Sequence, residues 1–204
     1  MKHSLEYYSL HYLDMWLKHD RIYHDALNNG TRAEKLAALK KAAYYYKIAR
    51  NLPTECDEGR GLERYEPVLK IIDKVVNSDL TENTVKSIEK IQVKISKAYD
   101  DRNALSFTTK ILWLKMRDPI IIYDSQARIA LDIPGGDLSE FYKAWRAEYK
   151  IHAKSIASVC AELSGVAKYS YDQTVATTSY VKDISAKMWF QERVFDMYLW
   201  HKGQ

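Results

Sequence analysis

The chain has 204 residues, enough for one domain or two closely packed small ones and for a substantial core. Charged residues make up 28% and the hydrophobic class 47%, which excludes long-range disorder, and 7 glycines and 4 prolines are too few breakers for many short strands joined by tight turns. A net charge of +4 suits a polyanion partner without requiring one, and 2 cysteines alone make neither an iron–sulfur cluster nor a zinc site.

Residues 4–28 place Leu5, Tyr8, Tyr12, Met15, Trp16, His19, Tyr23 and Leu27 at helical spacing and stop at Asn28-Asn29-Gly30, a helix C-terminal signal. Thr31 opens a second helix, with Glu34 completing a capping box, and that helix runs to Arg50. Residues 51–63, with Pro53, Gly59 and Gly61, read as a loop. A helix follows from about Arg64, with Pro67 in its first turn and an apolar stripe at Val68, Ile71, Ile72 and Val75. Asn77-Ser78-Asp79 breaks it, and a helix over about 81–99 repeats Val85, Ile88, Ile91 and Ile95.

After a turn at 100–104, an apolar helix spans about 105–117 and ends at Asp118-Pro119. Ile120–Ile122 reads as an extended, buried link, and Asp124 or Ser125 starts a short helix. Residues 132–137 form a loop, and Asp137 with Glu140 begins a long helix to about Leu163. Residues 164–182 read as loops with a broken helix, and a last helix occupies about 183–201. The expectation is an all-α, globular multi-helix fold over 1–204, one domain or two lobes at about 1–100 and 101–204. The N-terminal stretch has charges throughout and no apolar signal-peptide core, and no run approaches a membrane span. A reducing, cytoplasmic setting with free thiols at Cys56 and Cys160, no membrane partner, no cofactor and a monomeric state are the corresponding expectations.

The six histidines form no tight cluster with acids, although His11, His19 and His24 can share a helix face, so no metal is expected. Glycine pairs at 135–136 and 59–61 lack a phosphate-loop pattern, and Cys56 lies among acids that raise rather than lower a thiol pKa. What remains is the stretch from Ser106 to Arg128. Ser106 sits in the first turn of one helix and Asp124 at the mouth of the next, both near free N–H groups and a positive dipole end. Asp124 is either a helix cap or a carboxylate partly desolvated by Ile120–Ile122 and Tyr123 for chemistry. The 16 tyrosines and 5 tryptophans either fill half-buried helix faces or, beside Lys and Arg, stack on bases.

The stretch SFTTKILWLKMRDPIIIYDSQAR resembles the helix–hairpin–helix DNA glycosylases, and among them bacterial proteins similar to 8-oxoguanine DNA glycosylase. In that family a hairpin leads into a helix bearing a lysine or its replacement, and an apolar segment then precedes an essential Asp at the start of the next helix. Asp124 lies 18 positions after Ser106, close to the gap in that family. The resemblance implies Ser106 at the lysine position, Asp124 as the catalytic acid and Arg128 as the following arginine. It further implies Tyr123, Ser106, Lys110, Trp113 and Asn51 at a base pocket, with Arg50, Arg102, Asn103, Lys115 and Arg128 on the DNA backbone. A lysine in the aligned place would give a Schiff base and strand cleavage; with serine there, the implied activity is that of a monofunctional glycosylase. The family's glycine-rich hairpin is here DDRNALS. Two alternatives stand beside this reading: a non-catalytic nucleic-acid-binding protein, and an interaction protein of a phage-defence system.

Overall fold

The computed structural model describes residues 3–49, 52, 63–76, 80 and 83–204. All the regular structure among the described residues is helical. The chain folds as two compact units, one made of Met1–His19 with Tyr123–Gln204, the other of Asp20–Ile122. The division therefore falls at two places, 19/20 and 122/123, rather than near residue 100, and the first helix belongs with the C-terminal half.

The expected first helix is built in two pieces. Helix α1 (Leu5–Met15) is capped by Ser4, passes into a π-helical turn at Trp16–Asp20, and continues as α2 (Arg21–Asn29). A π turn inserts extra residues into the helical repeat and rotates the apolar stripe. Here it lies where the chain leaves one unit for the other.

In the unit Asp20–Ile122, α2 packs on α3 (Arg32–Tyr45), whose Thr31–Glu34 capping box forms as expected. Helix α4 (Glu66–Ile72) starts with Pro67 in its first turn and buries Val68, Leu69 and Ile72. Helix α5 (Thr84–Lys97), capped by Asn83, turns Ile88, Ile91 and Ile95 inward. Helix α6 (Leu105–Met116) is the centre of the unit: every residue from Phe107 to Leu114 is buried. A helix apolar on all sides must be surrounded, and α6 packs against α2, α3 and α5. Two polar fastenings reach across the unit: the Tyr99 hydroxyl donates to the Arg64 carbonyl, and Arg64 donates to the carbonyls of Ala49 and Leu52. The loop expected at 51–63, with Cys56, and the break at 77–79 lie outside the described residues apart from Leu52 and Glu63.

Arg117 ends α6 with φ 62°, ψ −98°, a left-handed conformation costly for a side chain. His24 helps to hold it there. Its Nδ1–H donates to the Leu114 carbonyl at 2.8 Å, and Nε2 accepts from the Arg117 guanidinium at 2.8 Å, which fixes a neutral tautomer. Burial first, and Arg117 second, hold the His24 pKa below the usual imidazole value of 6.5. Unfolded chains therefore bind more protons than folded ones just below that value. Stability is full above about pH 6.5 and falls as pH drops toward the folded-state pKa. Thermal unfolding between pH 7.5 and 5.5 is expected to show a falling midpoint, with a shallower fall in His24→Gln. His11 and His19 are lowered too, so the slope shrinks without vanishing. An unchanged slope in the variant would show that His24 does not carry it.

In the other unit, α7 (Ser125–Ala130) and α1 pack on the last helix, α10 (Met188–Lys202), beside the long α8 (Leu138–Glu162). Asp137 caps α8 from the Glu140 amide at 2.7 Å, as expected. A 3-10 segment (Leu163–Tyr169) follows, then α9 (Thr178–Ser185), which Thr177 caps. The expected last helix at 183–201 is thus two helices, parted at Ala186-Lys187, and α9 takes the first three of those residues. Trp16 Nε1 donates to the Tyr180 hydroxyl at 2.9 Å, and its ring lies 4.5 Å from that of Trp189. These contacts join the residue that closes α1 to α9 and α10.

Candidate functional site

Asp124 is the N-cap of α7. Its backbone is extended (φ −135°, ψ 141°), and Oδ1 accepts the Gln126 amide at 2.9 Å. The carboxylate is half-buried. Tyr123 precedes it, its ring edge-on to Phe141 at 5.0 Å, and its hydroxyl lies beside Gly136. The chain passes from Ile122, in the buried run Ile120–Ile122, directly into this pair. The end of α10 closes on the same place: a Cβ at Gly203 would fall 2.0 Å from the Gln126 carbonyl oxygen, so only glycine fits there.

Beneath α7 lies a charged group that the sequence reading did not anticipate. Asp196 on α10 is buried and accepts from Trp145 Nε1 at 2.8 Å and from Arg193 at 2.8 Å. Burial pushes its pKa up, Arg193 and Trp145 pull it down, and the charge of Asp124 pushes it up again. Arg146 donates to buried Glu192 one turn earlier on α10. Burial and Glu192 together push Tyr149 up to about 12. Asp124 thus stands at the end of an apolar run and near a buried, paired acid.

Of the other candidates in this unit, Arg128 is turned onto its own chain. Its guanidinium donates to the Ile133 and Pro134 carbonyls and holds the turn that follows α7. Both bonds come from the same guanidinium nitrogen.

The remaining described candidates belong to the unit Asp20–Ile122. Lys110 and Ser106 are brought together: Lys110, only 5% exposed, donates from Nζ to Ser106 Oγ at 2.8 Å. Trp113, expected at a base pocket, is instead 1% exposed within the core around α6. Lys115, expected on the DNA backbone, pairs with Asp73 at 3.1 Å, and Asp73 also holds Lys35 at 3.2 Å. Arg50 and Asn51 lie outside the described residues.

Helices α5 and α6 are joined by a turn in which Asp100 (φ 54°) and Asp101 (φ 55°) both take the left-handed conformation. Glycine adopts it freely; Asp is among the few side chains that tolerate it. Arg102 and Asn103 are exposed here, and Asn103 Oδ1 accepts the Leu105 amide at 3.1 Å. The two carboxylates set negative charge at the turn's surface. Asp101→Gly is expected to raise stability by about 1 kcal/mol, read as a higher denaturation midpoint. A lower midpoint would show that the side chain itself holds the turn.

Among the described residues no group of three or more His, Cys, Asp or Glu is placed to hold a metal ion. No described helix is long and apolar enough to cross a membrane. Cys160 is buried, and burial pushes its thiol up to about 12, which leaves it protonated and unreactive. No family model matches the chain, and no curated protein and no solved structure matches it.

Proposed function

We propose that the chain is a monofunctional DNA glycosylase of helix–hairpin–helix type, with α5, the turn at 98–104 and α6 as the hairpin element and Asp124 as its catalytic carboxylate. The observation that carries the reading is the placing of Asp124: a half-buried acid at a helix mouth, fixed by the Gln126 amide and led in by a buried apolar run. Cleavage of an N-glycosidic bond builds positive charge on the sugar, and a fixed carboxylate stabilises that charge without reorganising. In this scheme the target nucleotide leaves the stack. Its C1′–N bond breaks, the base departs with the bonding pair, and water adds at C1′. The proton lost by that water passes by way of Asp124 to the base or to solvent. Lys110 supports the monofunctional form, because its ammonium is directed onto Ser106 within its own helix. The net charge of +4 supports a polyanion substrate.

The test is an excision assay. Duplexes carrying 8-oxoguanine, uracil, alkylated or glucosylated bases are incubated with the protein and then treated with alkali to reveal abasic sites. Cleavage of one substrate after alkali, and none before it, is the expected result. A second reading is a non-catalytic nucleic-acid-binding protein in which Asp124 only caps α7. The internal engagement of Arg128 and Lys115 favours neither enzyme nor module, whereas the carboxylates at Asp100 and Asp101 favour weak hairpin contact with phosphate.

A further inference from the structure

Helix α5 has two faces of different kinds. Ile88, Ile91 and Ile95 are buried where it packs on α4 and α6. Lys86, Lys90, Lys94 and Lys97 are exposed. At about 100° per residue these four lie within an arc of about 80° on the side away from the isoleucines, and from 86 to 97 the row is about 16 Å long. Among the described residues, none of the four side chains forms an ion pair or a hydrogen bond. Other cations of the same unit are committed: Lys35 and Lys115 to Asp73, and Arg32 to Glu66.

The one acid on α5 is Glu89, about 60° to the side of Lys86. It has no ion pair among the described residues, so it does not relieve the row. Like charges at three- and four-residue spacing repel, and a polyanion laid along the row removes that cost. The row also stands on a fixed element. Gln92 donates to Ser96 Oγ at 2.9 Å, and Ser96 donates to the Arg102 carbonyl, which ties the end of α5 to the turn that follows.

The chemistry of the face selects its partner. A basic helix that lies on a lipid surface inserts its apolar face, and that of α5 is committed to the core. An unpaired strand is held largely by rings on which its bases stack. The row has no ring, and Val93 is the one large apolar side chain exposed on the helix. Positive charge alone is left for a partner, which suits the backbone of a duplex. B-DNA carries a phosphate about every 3.4 Å on each strand, so a strand passing along the row offers about five phosphates to four ammonium groups.

We infer that the lysine row of α5 is a binding surface for duplex DNA, which holds the phosphates of one strand without reading its sequence. It takes the place of Arg128 and Lys115, whose cations are engaged within the protein. The inference rests on DNA as the partner proposed above and not on excision by Asp124.

The test titrates the full chain into two undamaged duplexes of unrelated sequence, with affinity read by fluorescence anisotropy between about 50 and 200 mM salt. The two are expected to bind alike. Lys90→Gln/Lys94→Gln is expected to weaken both by about 10- to 100-fold at about 0.1 M salt. It is also expected to flatten the plot of log affinity against log salt by about 2, since each phosphate contact contributes about 0.9 to the slope. Glutamine matches lysine in helix propensity, so α5 is kept. Lys150→Gln/Lys154→Gln removes the same charge from an exposed pair at the same spacing on α8 and is expected to bind as the parent does. Equal losses in the two double variants would assign binding to net charge and overturn the inference. An unchanged slope in Lys90→Gln/Lys94→Gln, or a parent that binds neither duplex, would overturn it too. So would capture by vesicles of anionic lipid when neither duplex binds, which would assign the row to a membrane surface. A lysine effect without base excision would leave the surface standing and remove only the enzymatic reading.

Discussion

Asp124→Asn is expected to reduce base excision by about 10²- to 10⁴-fold while leaving the fold and the affinity for DNA nearly unchanged. Asparagine has the shape of aspartate and caps helices as well, so the bond from the Gln126 amide to Oδ1 survives. Only the charge is removed. Asp124→Ala removes the cap too, and its expected cost is about 1 kcal/mol of stability. The pair of variants separates the two roles of one side chain. If Asp124 is a cap alone, Asn behaves as the parent in every assay and Ala is merely less stable. If it is the catalytic acid, both lose excision and only Ala loses stability. Equal excision by the parent and Asp124→Asn on any substrate would sink the enzymatic reading. Binding of duplex DNA, followed as salt is raised, shows whether the variants still engage the polyanion.

Much of this arrangement is legible in the sequence because it is local. Thr31 with Glu34, Asp137 with Glu140, and Asp124 before Ser125 each cap a helix where the chain suggests it. Capping depends on residues within one turn, so a short window contains the whole cause. The all-round apolar character of α6 is legible for the same reason. The π turn at Trp16–Asp20 and the break at Ala186-Lys187 are not: neither has a glycine or proline to mark it, and both follow from packing between distant segments. The turn at Asp100 and Asp101 lacks its usual glycine signal, yet the backbone takes the same left-handed conformation.

The last helix shows the limit most clearly. The last helix carries Met188, Trp189, Val194, Phe195, Tyr198 and Leu199 as its apolar residues. Met188 is in fact 57% exposed, whereas Glu192, Arg193 and Asp196 are buried. Glu192 turns inward because Arg146 lies on α8, a partner that no pattern within α10 contains; Arg193 and Asp196 partner each other three residues apart, but Asp196 is also held by Trp145 on α8. The same holds for Trp113 and Lys115: residue type suggests a ring for stacking and a cation for phosphate, but neighbours distant in sequence put one in the core and give the other to Asp73.

That buried group carries the second large effect. Asp196→Ala is expected to destabilise the fold by about 3–5 kcal/mol, because it leaves the buried Arg193 charge and the Trp145 N–H without their carboxylate. The cost is that of withdrawing a carboxylate from a buried guanidinium and a buried indole N–H. Replacing Asp196 and Arg193 together by leucine and methionine is therefore expected to cost less than Asp196→Ala alone. Denaturant unfolding of the single and double variants measures both. A single-variant loss below about 1 kcal/mol would mean that water reaches Arg193 and that the pair is not desolvated. The pH dependence has the opposite sign to that of His24. The Asp196 pKa is raised on folding, so its contribution is present in acid and is lost as pH rises through the folded-state value from the ordinary 3.8 upward. Removing the carboxylate removes that slope. Because α7 packs on α10 and the charge of Asp124 acts on Asp196, the same change alters the electrostatic field at Asp124.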